Sequence, residues 1–148
     1  MKAVIQRVSE ASVSVEGKMT GEIGQGLVVL LAVEKGDGEG EVQFMADKLI
    51  GLRCFNDDNN KMNLSIKDVG GEMLVISQFT LAASLEKGRR PSFERAERPD
   101  AAELLYTLFV ETVRASGFKV ATGIFGAMMD VRLINQGPVT FALDSPHS

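Results

Sequence analysis

The sequence predicts a single α+β domain of two packed, largely antiparallel sheets, barrel-like, with two main helices outside. Three observations predict it. Strand-like stretches are grouped in runs, two segments between them carry helical periodicity, and several of the strand-like runs are apolar on both faces. The chain has 148 residues, 45% of them hydrophobic, which is the size of one ordinary domain that can bury a core without disulfide staples. No linker, low-complexity tract or repeat of fixed period divides residues 1–148.

Taken in order, Val4, Gln6 and Val8 alternate, and Ala11, Val13 and Val15 then oppose Ser12, Ser14 and Glu16, a period of two that marks half-buried strands. Glu16-Gly17-Lys18 interrupts this pattern before Met19 to Ile23 resumes it, so a hairpin is expected. Leu27 to Val33, LVVLLAV, is a continuous apolar run and predicts a central strand covered on both faces. From Glu41 the period changes: Val42, Met45, Ala46, Leu49 and Ile50 fall on one face of a helix. The polar loop NDDNNKMN follows, then a second buried strand, Met73 to Phe79, and a long polar stretch to Pro99. Asp100, with Glu103 three residues on, predicts the cap of a second helix with the apolar stripe Leu104, Leu105, Leu108, Phe109 and Val113 and a stop at Gly117. Phe118–Thr122, Met129–Ile134 and Val139–Leu143 predict three closing strands. Gly137-Pro138 separates the last two. Proline has no N–H for a sheet ladder, so the pair predicts a turn, an edge or a bulge, or a backbone held in an uncommon shape such as a cis bond.

Composition excludes several kinds of chemistry. The net charge of −4 provides no global basic field for nucleic acid, so any such contact must be local. No run approaches the roughly 18 apolar residues of a membrane span, and MKAVIQRVSE lacks the layout of a signal peptide, so a cytoplasmic protein without a membrane partner is expected. The single Cys54 fits a reducing compartment and supports no cysteine metal motif. The lone histidine, His147, sits in a terminal tail, which disfavours a Ser-His-Asp arrangement and a His-rich zinc site. In NDDNNKMNLSIK the spacing of Asn56, Asp58 and Asn60 suits a calcium loop, but Lys61 and Lys67 stand where that loop needs Gly and Glu. Gly36, Gly38 and Gly40 lack the register of a dinucleotide loop, and no phosphate-loop Gly-Lys-Ser/Thr occurs. Neither cofactor nor metal is expected.

Two features remain. SQFTL, Ser77 to Leu81, ends a buried strand; by alternation Ser77, Phe79 and Leu81 face one way, Gln78 and Thr80 the other. Hydroxyls and an amide at a rigid strand end suit a ligand site, though they also suit satisfaction of the strand end's own backbone groups. KGRRPSFERAER, Lys87 to Arg98, places five basic residues against Glu94 and Glu97 with Phe93 among them. Positive charge beside an aromatic face suits a single-stranded nucleic-acid end; a solvated charged loop is the plainer alternative.

MKAVIQRV at the start, SQFTL, GRRPSF at Gly88 to Phe93, TGIFGAMM at Thr122 to Met129 and NQGPVT at Asn135 to Thr140 together resemble the D-aminoacyl-tRNA deacylase family, in order and over essentially the whole length. Gln136 stands where many relatives carry an acidic residue. The resemblance implies a homodimer, active sites at the subunit interface, that hydrolyses the ester of D-aminoacyl-tRNA and of glycyl-tRNA. It implies that a cis Gly137-Pro138 pair, braced by Arg7, enters the partner's pocket and excludes L side chains with its carbonyl oxygens. Ser77, Gln78, Phe79 and Thr80 resemble the wall that binds the aminoacyl group and terminal adenosine, lined by Ala102 and Met129. Catalysis is expected at Phe79 and Thr80, tRNA contact at Lys87, Arg89 and Arg90. Thr80 has no evident activating base, so RNA-assisted hydrolysis by a positioned water is favoured over a covalent intermediate. The competing readings are a non-catalytic tRNA-end binding module, which has no need of SQFTL and GPVT together, and a serine esterase, which the missing base and basic loop disfavour.

Overall fold

The structure, a computed structural model, describes residues 1–146. Its elements are β1 (Lys2–Val15), β2 (Lys18–Ile23), β3 (Gly26–Ala32), α1 (Glu39–Gly51), β4 (Phe55–Asn56), β5 (Met62–Leu64), β6 (Glu72–Ser77), a 3-10 turn (Phe79–Ala82), α2 (Pro99–Ala115), β7 (Val120–Thr122) and β8 (Asp130–Asp144). Six strands make one sheet, and β4 and β5 make a small second one. The α+β class, the central β3 and the two helices are as predicted.

β1 organises the large sheet. Its first half pairs with β3 and its second half with β2 on one edge, while β8 runs antiparallel along the whole of the other edge. The β3–β6 and β6–β7 pairs are parallel. Parallel neighbours need long crossovers, which here contain α1 and α2. The sheet then curls until its two ends meet. A Cβ built on Gly21 in β2 would lie 2.7 Å from the Thr122 carbonyl oxygen in β7, so this closure requires a residue without a side chain.

Curling creates two apolar layers. Leu27, Val29, Met73 and Val75 face Met45, Leu49, Phe109 and Val113 of the helices. Val28, Leu74 and Ile76 face the other way, onto Val8, Val13 and Ile23. Successive residues of β3 and β6 thus serve opposite layers, which is why those strands are apolar throughout. Among the described residues no helix is long and apolar enough to cross a membrane.

The structure corrects three expectations. α2 begins at Pro99 with Arg98 as its cap residue, and the Arg98 carbonyl accepts the Ala102 N–H at 2.8 Å; proline suits this first position because its missing N–H would have no partner there. Leu104 is 73% exposed, since the buried stripe is Ala102, Tyr106, Phe109, Val110 and Val113. The strands expected at 129–134 and 139–143 are one, β8, interrupted but not ended by Gly137-Pro138. His147 lies outside the described residues.

The buried Tyr106 hydroxyl donates to the Val75 carbonyl at 2.9 Å, and burial pushes its pKa up to about 12. An unfolded tyrosine titrates near 10, so the folded state holds this proton more tightly. Stability is therefore whole below pH ~10 and falls as pH rises from about 10 to 12, by roughly 2–3 kcal/mol. Chemical denaturation across that range should show a smaller alkaline loss for Tyr106→Phe; an identical loss would refute the assignment.

Candidate active site

The interruption in β8 is built from specific hydrogen bonds. Val8 pairs with Asn135 and Gln6 with Thr140, so Gln136 to Val139 stand opposite Arg7 alone. An ordinary bulge sets two residues against one; here four loop out. Gln136, Gly137 and Pro138 are exposed, whereas Val139 is buried. The Gly137-Pro138 bond is cis and Gly137 has φ +134°. A Cβ on Gly137 would lie 2.8 Å from Val139 Cγ2 and 3.0 Å from Arg7 Nη2, so glycine is required both by conformation and by space.

Arg7 holds this loop from within. Only 7% exposed, it donates from Nε to the Gln136 carbonyl at 2.9 Å and from Nη1 to the Cys54 carbonyl at 2.8 Å and Asn56 Oδ1 at 3.1 Å. The Asn135 side chain spans the loop's base: Oδ1 accepts the Val139 N–H and Nδ2 donates to Thr140 Oγ1, both at 2.7 Å. Burial pushes the neighbouring Cys54 thiol up in pKa, which favours the protonated thiol over the thiolate.

The second group of predicted residues gathers at the exit of β6. Ser77 ends the strand and the Gln78 N–H donates to the Leu31 carbonyl at 2.8 Å. The 3-10 turn then replaces the expected alternation, so Phe79 and Thr80 are both exposed. The Gln78 side-chain amide donates to Thr80 Oγ1. Within the turn, Leu81 N–H returns to the Gln78 carbonyl at 3.2 Å, and the preceding N–H groups of Phe79 and Thr80 have no acceptor inside it.

Three further segments meet this exit. Ser84 and Ser92 exchange backbone hydrogen bonds of 2.7 and 2.9 Å, clamping a loop that presents Lys87, Arg89 and Arg90 to solvent. Phe93, just past the clamp, lies with its ring 5.1 Å from Phe79, joining basic loop and turn. Ala102 is buried one helical turn before Tyr106, whose hydroxyl reaches β6 at Val75. Phe125 packs its ring 5.8 Å from Tyr106, and Thr122, in register with Val75, leads into the segment carrying Met129. Met129 is half-buried, its sulfur beside Gly123, and packs on the apolar layer that includes Val13. Sequence reasoning overlooked Asn56, Asn135 and Phe125. Asn135 and Phe125 lie inside quoted motifs and Asn56 inside the polar loop weighed as a calcium site, yet nothing local singles them out, because Asn56 and Phe125 act through Arg7 and Tyr106, which are distant in sequence.

The two groups do not meet within one chain. Arg7, opposite the looped residues, is in register with Leu27 and Met73, four residues short of Ser77 on β6. β1 and β3 also intervene between β8 and β6. Three strand spacings across and four residues along amount to roughly 20 Å over the sheet surface.

The family model of D-Tyr-tRNA(Tyr) deacylase matches residues 4–144. A D-aminoacyl-tRNA deacylase of Pelobacter propionicus is 60% identical over 97% of this chain and 99% of its own, and one of Geobacter sulfurreducens is 57% identical over 98% and 95%. Among solved structures, a c-Myc DNA unwinding element binding protein superposes with a TM-score of 0.93 at 40% identity, covering 99% of this chain and 100% of its own. One described as a probable eukaryotic D-amino acid tRNA deacylase superposes at 0.84 with 17% identity, covering 96% and 97%, a likeness of fold. With the model spanning nearly the whole chain and full-length relatives above half identity, the chain belongs to the D-aminoacyl-tRNA deacylase family of hydrolases.

Proposed function

We propose that this chain cleaves D-aminoacyl-tRNA and glycyl-tRNA at a site assembled from two copies, with Gly137-Pro138 of one copy facing the β6 exit of the other. The observation that carries this reading is the separation of the two groups: each is built and exposed, yet they lie roughly 20 Å apart over the sheet of one chain. A homodimer brings them together. β8 supports it, because among the described residues this 15-residue strand is hydrogen-bonded on the side of β1 only and exposes Val131, Ile134 and Phe141.

In this site the terminal adenosine lies against Phe79 and Phe93, with Lys87, Arg89 and Arg90 on the approaching phosphates. The aminoacyl group sits over Gln78 and Thr80, between Ala102 and Met129. Water adds to the ester carbonyl, and the developing oxyanion takes hydrogen bonds from the Phe79 and Thr80 N–H groups. The bond to the terminal ribose oxygen then breaks, releasing the amino acid and the tRNA hydroxyl. Thr80 is bonded to an amide, not to a base, so its hydroxyl orients and the tRNA's own 2′-hydroxyl assists the proton movement. An L side chain meets the fixed carbonyls of the Gly-Pro loop. Glycine has no side chain to exclude and is cleaved. Rejection by clash with a rigid backbone discriminates more sharply than a graded apolar contact.

The binding-only reading draws on the 40% identical structural relative, which is named for nucleic-acid binding. Ester loss from D-tyrosyl-, L-tyrosyl- and glycyl-tRNA separates the two. The D and glycyl esters should be lost well above the uncatalysed rate and the L ester should persist; binding without hydrolysis of any would overturn the enzymatic account. Thr80→Ala should retain D-tyrosyl-tRNA cleavage within about tenfold, the scale of one lost hydrogen bond. Loss to background with tRNA binding intact would instead make Thr80 the nucleophile.

A further inference from the structure

We infer that Asn135, acting with Thr140, is a positioning residue that sets how the Gly137-Pro138 carbonyls are presented, and hence how sharply D and L substrates are told apart. The inference rests on the proposed sorting role of the Gly-Pro loop and adds the device that aims it.

The geometry isolates this task. Four residues opposite one cannot be held by the strand ladder, because β1 offers only Arg7 at that level. Arg7 grips the loop at its entry, through the Gln136 carbonyl, and leaves its exit unconstrained. The exit is closed by Asn135: its amide oxygen takes the Val139 N–H and its amide nitrogen reaches Thr140 Oγ1. One side chain at the residue just before the loop is thereby tied to the last residue of the loop and to the residue that follows it. Without the bracket, Val139 N–H loses its acceptor and the peptide planes on either side of Pro138 can swing while Arg7 still holds Gln136.

Asparagine suits the position for a stated reason. It presents an acceptor and a donor from one planar group, while a hydrophobic residue offers neither. Thr140 completes the bracket through its hydroxyl. Thr140 is exposed and Asn135 only half-buried, so the pair contributes little to the core; its effect falls on the orientation of the loop.

The test compares the ratio of kcat/KM for D-tyrosyl-tRNA to that for L-tyrosyl-tRNA in Asn135→Ala, Thr140→Val, Thr140→Ser and Pro138→Ala. Loss of a bracket hydrogen bond should lower the ratio by roughly tenfold in Asn135→Ala and Thr140→Val, with Thr140→Ser close to the parent because it keeps the hydroxyl. A purely structural role would lower the melting temperature and both rates together, leaving the ratio in place, and that result overturns the inference. A ratio that falls in Pro138→Ala but not in Asn135→Ala or Thr140→Val also overturns it while the sorting role of the loop stands. A ratio unmoved in all four removes the sorting role and the inference with it. Should Asn135→Ala fail to fold, the Thr140→Val and Thr140→Ser pair decides alone.

Discussion

Arg7 is 7% exposed, yet its guanidinium meets two backbone carbonyls and an amide oxygen, all uncharged. Burying a charge in this way is tolerable only while its hydrogen bonds stay in place. The side chain therefore ties β1, the start of the small β4–β5 sheet and the looped part of β8 to one another. Any shift of the Gln136 carbonyl leaves a buried donor unsatisfied, so the loop is held at its entry by the same requirement that keeps Arg7 buried. Gly137 then has no room for a side chain, because Val139 and Arg7 occupy the space beside it. A rigid backbone projection follows from a solvation problem in the interior.

The curled sheet has a comparable effect at the other end of the molecule. Closure at Gly21 and Thr122 places the segment after β7 beside α2, where Phe125 meets Tyr106, and Tyr106 in turn reaches β6. The β6 exit thus receives its wall from three further segments: the clamped loop, α2 and the segment after β7. The loop of β8 and this wall are both finished surfaces, and the register of β1, β3 and β6 holds them apart within one chain. In the proposed two-copy site the specificity element and the ester-binding wall are each rigid, and the interface brings them into opposition.

Much of the fold was legible because its strongest signals are local. The period of two in β1, the helical stripe of α1 and the double-sided apolar run of β3 each arise from the burial of one element, and each was read from its own residues. The start of α2 was misplaced because Asp100 and Glu103 mimic a capping pair, whereas Pro99 supplies the real entry. Leu104 was assigned to the core on hydrophobicity although the helical phase turns it outward. The single strand β8 was read as two, since a four-residue loop-out inside a ladder leaves the same sequence trace as a turn. At the site, SQFTL and the Gly-Pro pair were visible as odd residues in strand contexts, and the basic loop as a cluster of positive charge in an acidic chain. Asn56 and Phe125 were not, because their roles exist only through Arg7 and Tyr106, which reach them across the fold.

The central claim is that Gly137-Pro138 and the Ser77–Thr80 wall meet between two chains. A disulfide-trapping measurement with Gln136→Cys in one chain and Thr80→Cys in another tests it most directly. Gln136 is exposed and lends the loop only its carbonyl, and the native Cys54 is buried. Mild oxidation of the mixed chains should yield a covalent dimer joined between positions 136 and 80, with neither variant alone forming that product. No such product at protein concentrations that sustain full activity would contradict the account.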